Sequence, residues 1–179
     1  TGGIGNDTYY VDSALDIVSE DVGAGTDTIN TTLSTYSLAS LANVENLTYT
    51  GTGASTLTGN AGDNTLTGGI GNDILDGGAG NDTLNGGAGN DTVTYASAAA
   101  AVSVDISTGL STGAATGTDT LSAIENVIGS AFNDTLSGDT GNNVLDGGAG
   151  DDIMIGGGGN DTFIGGTGND SMTGGTGDD

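Results

Sequence analysis

A nine-residue pattern, G-G-x-G-x-D-x-U-x with U a large apolar residue, recurs along this chain and is clearest in three consecutive copies at residues 68–94. Short fixed periods of this kind are typical of solenoids, in which each repeat packs against its neighbours to build one continuous core. The glycines favour a tight turn, because glycine adopts positive φ angles without steric cost. The x-U-x segment favours a short strand that directs the U side chain inward.

The repeats form three blocks, at residues 2–10, 59–94 and 129–179, separated by spacers at 11–58 and 95–128. Each spacer contains a G-T-D-T motif followed by L-x-x-[VI]-E-N. No proline-rich or charged linker marks a boundary, so we expect residues 1–179 to form one continuous solenoid, with separate small domains as the alternative. The chain begins just ahead of a repeat and ends six positions into another, so we also expect it to be a segment of a longer protein.

Two nonapeptides make one coil, so successive strands should alternate between two parallel sheets. The prediction is an all-β solenoid in which the spacers form irregular coils, with a strand at the alternating residues 102–106. A core one or two side chains thick cannot offset the entropy of ordering so much glycine, so the fold needs a further source of stability. The side chains expected in the core are Leu66, Leu75, Leu84, Val93, Leu136, Leu145, Met154, Phe163 and Met172.

The charge of the chain excludes several functions. It has 24 Asp plus Glu and no Lys, Arg or His, for a formal net charge of −24. It has nothing to neutralise phosphate, so we expect neither nucleic-acid binding nor membrane insertion. With no His, Lys or Cys to act as base or nucleophile, we expect no catalytic residues and no enzyme activity. We interpret Glu45 and Glu125, which recur in matching contexts, as polar caps on spacer coils.

The aspartate at position six of each repeat should recur on the same edge of the rod, one coil apart. Stacked coils lie about 4.8 Å apart, so two carboxylates can flank one ion. Six or more hard oxygen ligands suit Ca²⁺ better than Mg²⁺, whereas zinc and copper would normally require His or Cys. The spacing therefore predicts several calcium ions.

On these motifs the chain resembles the hemolysin-type (RTX) calcium-binding repeats of secreted bacterial proteases, toxins and adhesins, and the repeat modules of alginate epimerases. The resemblance implies a right-handed parallel β-roll or β-helix. It also implies that each ion lies between turn i and turn i+2. The first turn would supply its carbonyls at positions two and four and its Asp, and the second its carbonyls at positions one and three and its Asp.

Carried onto this sequence, the resemblance implies three sites that follow the pattern throughout. The first consists of Gly69, Gly71 and Asp73 with Gly86, Ala88 and Asp91. The second consists of Gly148, Gly150 and Asp152 with Gly165, Thr167 and Asp170. The third consists of Gly157, Gly159 and Asp161 with Gly174, Thr176 and Asp179.

Other pairs depart from the pattern. A fourth site joins Asp134 to Gly147, Ala149 and Asp152, although Phe132 at position four should distort its turn. Two weaker sites, or solvated caps, join Asn64 to Gly77, Ala79 and Asp82, and Asn143 to Gly156, Gly158 and Asp161. Asparagine offers one neutral oxygen where aspartate offers two charged ones. Two further pairs, Asp7 with Asp27 and Asp91 with Asp119, have irregular spacings.

The function expected is that of a structural calcium-binding module of a secreted or cell-surface bacterial protein, which folds on Ca²⁺ after export. The resemblance implies type I secretion, with a signal beyond Asp179. Its partners would be calcium and either neighbouring repeats or a surface polymer. The alternatives are a carbohydrate-binding accessory module of an extracellular enzyme such as an alginate epimerase, and an ice- or surface-binding face built from threonine rows.

Overall fold

The computed structural model describes residues 1–179, and every regular element in it is a β-strand. Eleven strands form sheet A, in the spatial order β1 (Thr8–Val11), β2 (Thr28–Thr31), β4 (Asn46–Tyr49), β6 (Thr65–Ile70), β8 (Thr83–Ala88), β12 (Gly117–Ser122), β11 (Leu110–Gly113), β10 (Val102–Asp105), β14 (Thr135–Ser137), β16 (Ile153–Gly158) and β18 (Ser171–Thr176). Seven strands form sheet B, in the order β17 (Thr162–Ile164), β15 (Val144–Asp146), β13 (Asn126–Ile128), β9 (Thr92–Thr94), β7 (Ile74–Asp76), β5 (Thr56–Thr58) and β3 (Thr35–Ser37).

The chain alternates between the two sheets and builds a β-solenoid of about nine turns, which confirms the predicted all-β roll. Neighbouring strands run parallel in every pair except the two pairs that involve β11. A helix that could cross a lipid bilayer is not among the elements of the structure.

The U residues stack on one another because paired residues in the repeat blocks lie one coil, or two nonapeptides, apart, as in Leu66 opposite Leu84. They form the centre of one cluster of 20 buried apolar side chains. Burial of such a side chain contributes about 1.5–3 kcal/mol. Seven of the nine predicted core residues are fully buried: Leu66, Leu75, Leu84, Val93, Leu136, Leu145 and Met154.

The two remaining core predictions lie near the end of the solenoid. Phe163 is partly buried and packs against the cluster. Met172 is 47% exposed, so its assignment to the core was wrong. It lies on β18, the outermost strand of sheet A.

The first spacer continues the coil register rather than interrupting it. The strand of its G-T-D-T motif, β2, pairs in parallel with β1 and places Thr28 opposite Thr8. The strand of its E-N motif, β4, pairs in parallel with β2 and places Asn46 opposite Thr28. The spacer motifs therefore occupy the same structural position as the D-x-U segment of a nonapeptide.

The second spacer differs from the irregular coil that was expected, because it inserts an antiparallel excursion into sheet A. The predicted strand at 102–106 is present as β10, with Val102 and Val104 buried. The chain then returns through β11 and runs forward again as β12, which pairs with β8, while β10 pairs with β14. Sheet B passes directly from β9 to β13. Sheet A therefore carries two additional strands at this point, or about 10 Å of added width.

Candidate metal centres

The side chains at position six form two columns, which we call the carboxylate ladders. One column immediately precedes the strands of sheet A in the chain, and the other precedes the strands of sheet B. In both ladders a side-chain oxygen accepts a hydrogen bond from the backbone N–H one coil earlier, as from Asp73 to Asp91 Oδ1 at 2.7 Å. The ladder before sheet A contains Asp7, Asp27, Glu45, Asn64, Asp82 and Asp119, and it resumes beyond β10 with Asp134, Asp152 and Asp170. At the break, Asp134 Oδ1 accepts from the Val102 N–H. The ladder before sheet B contains Asp73, Asp91, Glu125, Asn143, Asp161 and Asp179.

All six regularly spaced pairs named from the sequence are adjacent in these ladders. The backbone N–H of the first residue lies 2.7–3.0 Å from Oδ1 of the second in every pair: Asp73–Asp91, Asp134–Asp152, Asp152–Asp170, Asp161–Asp179, Asn64–Asp82 and Asn143–Asp161. The irregular pair Asp7–Asp27 is also adjacent, at 2.8 Å. Each aspartate thus uses one oxygen to hold the coils together and leaves the other for another partner.

That other oxygen, Oδ2, is buried without a hydrogen-bond partner at several turns. The carboxylates concerned in the repeat blocks are those of Asp73, Asp82, Asp91, Asp152 and Asp161. Burying an unpaired ionised carboxylate costs several kcal/mol, and this chain has no cationic side chain to pair with one. A hard divalent cation satisfies such oxygens, so the donor set fits Ca²⁺.

The predicted position-one carbonyls converge on the same space. An alanine methyl at Gly68 would lie 2.5 Å from Asp73 Oδ2 and 2.7 Å from the Gly86 carbonyl oxygen, so the glycine keeps this gap open. The gap at Gly129 is bounded in the same way by Asp134 and the Gly147 carbonyl. The carbonyls of Gly77, Gly156, Gly165 and Gly174 border the corresponding gaps of the other four pairs.

The remaining predicted carbonyls lie between coils. Those of Gly69 and Gly71 face Gly87 and Gly89 of the next coil. Three position-three carbonyls already accept a hydrogen bond from a position-four N–H of the previous coil at 2.8–2.9 Å, namely Ala88, Thr167 and Thr176. Each of these carbonyls has a second lone pair available. Metal ligation by the predicted carbonyls stays a prediction.

Three turns are closed by their own side chains, and they share a non-glycine residue at position two. The N–H of Ser130 donates to Asp134 Oδ2 at 2.5 Å, and those of Asn60 and Asp139 donate to the Oδ1 atoms of Asn64 and Asn143. In the Gly-Gly turns, position two instead has positive φ, as at Gly69 with φ +98°. The fourth predicted site, at Asp134, therefore has no unpartnered oxygen on that residue.

The distortion expected at Phe132 is absent. The position-four N–H is held by Ser130 Oγ at 3.1 Å, and Phe132 does not adopt positive φ, so its side chain is accommodated and stays 44% exposed. The residue at position two therefore determines whether the turn is open or closed. The backbone conformation at position four depends on that turn type.

Asn64 and Asn143 are not solvated caps. Both are buried, and Asn143 Nδ2 donates to the Glu125 carbonyl at 2.7 Å, while Asn64 Nδ2 lies 3.3 Å from the Glu45 carbonyl. Each amide therefore donates to a carbonyl of the preceding coil.

Sequence reasoning missed the role of two glutamates. Glu45 Oε2 accepts a hydrogen bond from the Asp27 N–H at 2.8 Å, and Glu125 Oε2 accepts one from Asp91 at 2.7 Å. Both are ladder members, so their interpretation as spacer caps was wrong. Aligning E-N-L and E-N-V with D-x-U would have identified them.

The suggested pair Asp91–Asp119 was also wrong. Asp119 Oδ1 instead accepts a hydrogen bond from the Asp82 N–H at 3.0 Å, because the antiparallel excursion places β12 beside β8. Asp119 Oδ2 is bonded by the hydroxyls of Ser111 and Tyr95, at 2.8 Å and 3.0 Å. This carboxylate therefore has no oxygen left unpartnered.

Burial opposes ionisation within the ladders. It raises the pKa of Asp82 to about 7, and the neighbouring Asp119 carboxylate adds to the shift. Burial likewise raises the pKa of Asp91, Asp119 and Asp152. Without a bound cation the folded state thus favours the protonated form of these four aspartates.

The metal-free fold is expected to gain stability as the pH falls. Each raised pKa contributes stability that is fully present below the unfolded value of 3.8 and is lost as the pH rises through the folded pKa, which is about 7 for Asp82. Circular dichroism of metal-free protein should show more β-structure at pH 5 than at pH 7.5. With saturating calcium the protein should instead show more β-structure at pH 7.5 than at pH 5, since the ion binds the ionised carboxylates. A metal-free signal that increases with pH would contradict this expectation.

The family comparison agrees with the geometry of the repeats. The family model for the RTX calcium-binding nonapeptide repeat matches four times, at residues 49–84, 58–93, 128–163 and 155–179, which together cover more than half of the chain. No curated protein matches the chain. The chain belongs to the RTX (hemolysin-type) calcium-binding nonapeptide repeat family, and it is a Ca²⁺-binding repeat module with a β-roll fold.

Proposed function

We propose that this chain is a structural module of a secreted or cell-surface bacterial protein, and that it folds when it meets Ca²⁺ after export. The observation that carries the proposal is the set of buried, unpartnered Oδ2 atoms at the Gly-Gly turns. They occur in a chain with 24 acidic residues and no basic ones, so compensation must come from outside the polypeptide.

The energetics favour folding that depends on the ion. Ordering the backbone costs about 1–2 kcal/mol per residue, and the core is a narrow column of U side chains. Extracellular calcium modules bind at roughly 10⁻⁴–10⁻³ M, a concentration that the cytosol does not reach. A chain of this kind would stay unfolded until export and fold outside the cell.

Three of the predicted sites have the strongest support, namely those that begin at Asp73, Asp152 and Asp161. Each combines a buried, unpartnered Oδ2 with a position-one carbonyl at the same gap. We add a site between Asp91 and Glu125. There the space beside Gly86 is bordered by Asp91 Oδ2 and the carbonyl of Ala123, the one non-glycine residue with positive φ.

Residues 1–179 would act as one continuous segment of a longer protein exported by type I secretion. Support for continuity comes from sheets A and B, each of which contains strands of both long repeat blocks. No specific contact or cavity favours the carbohydrate-binding alternative.

Removal of calcium tests the proposal. In excess chelator at pH 7.5 the β-sheet signal in circular dichroism should collapse to that of an unfolded chain, and millimolar calcium should restore it. Magnesium at the same concentration serves as the control for ionic strength, and we expect little recovery with it. An unchanged spectrum in chelator would overturn the proposal.

A further inference from the structure

A cluster of three carboxylates lies at the first coil and includes a residue from outside the ladders. One carboxylate oxygen from each of Asp7, Glu20 and Asp27 lies within 4.8 Å of the others. Asp7 and Asp27 are neighbours in the ladder before sheet A. Glu20 belongs to the first spacer, so its approach to the ladder is a separate feature of the fold.

Each of the three residues has a buried oxygen without a hydrogen-bond partner: Asp7 Oδ2, Glu20 Oε2 and Asp27 Oδ2. Asp27 as a whole is only 1% exposed, and its other oxygen is occupied by the Asp7 N–H at 2.8 Å. Three ionised carboxylates at this separation repel one another strongly, and the chain has no cationic side chain to offset them.

The surrounding contacts hold Glu20 in this position. Its carboxylate accepts a hydrogen bond from the Tyr9 hydroxyl, and its backbone carbonyl accepts one from Asn43 Nδ2 at 3.0 Å. Gly2 borders the cluster, because a side chain there would overlap the carboxylates of Glu20 and Asp7. The acidic cluster is therefore fixed in position, and the backbone of Gly2 lies directly against it.

We propose that Asp7, Glu20 and Asp27 bind one additional divalent cation, and that this ion fastens the first spacer to the rod. Hard carboxylate oxygens favour Ca²⁺. The site differs from the ladder sites because one ligand, Glu20, comes from within the coil that separates the two aspartates. That coil is slightly longer than the coils of the repeat blocks. The inference rests on the proposed function only for the identity of the metal.

Calcium titration of two variants tests the third ligand. Glu20→Gln removes the charge from the cluster and retains the size of the side chain. Asp21→Asn removes one charge from the adjacent, exposed position and is the matched control. Calorimetry should show one ion fewer for Glu20→Gln than for the wild type, whereas Asp21→Asn should bind the full number. Equal numbers for the two variants would overturn the inference.

Terbium luminescence gives a second, independent readout that leaves the ligands intact. Terbium in the cluster would lie close to the Tyr9 phenol, which contacts Glu20, so excitation of tyrosine should produce strong emission. Tyr9→Phe should lose a large part of this emission, while Tyr10→Phe, at an 81% exposed neighbour, should retain it. Equal emission from the two variants would contradict the site. A wild-type protein that binds no calcium at all would instead refute the proposed function.

Discussion

Replacing Gly87 with alanine should destabilise the calcium-bound protein by about 3 kcal/mol or more. Gly87 has φ +103°, a conformation that costs an alanine about 1–2 kcal/mol. The added methyl would also overlap the carbonyl oxygen of Gly69 in the preceding coil, a predicted calcium ligand. Thermal unfolding in saturating calcium should show a decrease in Tm on the order of 10 °C.

Gly53→Ala provides the matched control for that experiment. Gly53 does not adopt positive φ, and nothing lies within 4 Å of the position that its Cβ would occupy. The control should change Tm by no more than a degree or two, in either direction. Similar Tm values for the two variants would show that the close approach of the coils at the Gly-Gly turns is not required.

Replacing Asp91 with asparagine should raise the calcium concentration needed for folding by at least tenfold, or about 1.4 kcal/mol. Asp91 lies between two candidate sites, one shared with Asp73 and one with Glu125. Asparagine can still accept the hydrogen bond from the Asp73 N–H through Oδ1. Its amide nitrogen replaces the buried Oδ2 at the site shared with Glu125, and the loss of the negative charge weakens both sites.

Asp12→Asn is the control for the loss of one negative charge, since Asp12 is exposed and lies outside both ladders. Its calcium midpoint should match that of the wild type, as measured by circular dichroism during titration. If the Asp91 and Asp12 variants had the same midpoint, Asp91 would contribute no more than general charge, and neither of its two sites would exist.

The repeat was sufficient to predict the solenoid and its ladders. Leucines at a fixed period of two nonapeptides, such as Leu66 and Leu84, can only stack if each coil lies directly on the last. The same register brings Asp73 beside Asp91, which explains why all six regular pairs are neighbours in the ladders.

The errors arose where the local sequence allows two solutions. The sequence of residues 102–113 is compatible with a further solenoid coil and with an antiparallel hairpin. The hairpin forms through the pairing of β10 with β11, whose contacts extend beyond any nine-residue window. That excursion moved Asp119 beside Asp82 and so overturned its suggested pairing with Asp91.

The residue at position two determines whether the position-six side chain has an oxygen available for an ion. Position two is glycine in the open turns but Asn60, Ser130 or Asp139 in the closed ones, and only the closed turns hydrogen-bond their own position-six side chain. Asn64, Asn143 and Phe132, the residues that depart from the repeat at positions six and four, lie two or four positions away from the N–H groups that close these turns. The chemistry of Asx and Ser turns, applied at position two, would have separated the two classes.

Calcium should bind at the Gly-Gly turns, where Oδ2 is buried and unpartnered, and not at the turns closed by their own side chains. Crystals grown in calcium and measured for anomalous scattering test this distinction most directly. We expect anomalous peaks beside Oδ2 of four aspartates, namely Asp73, Asp91, Asp152 and Asp161. We expect no peak beside the three closed turns, at Asn64, Asp134 and Asn143. Peaks at the closed turns, or none at the four aspartates, would contradict it.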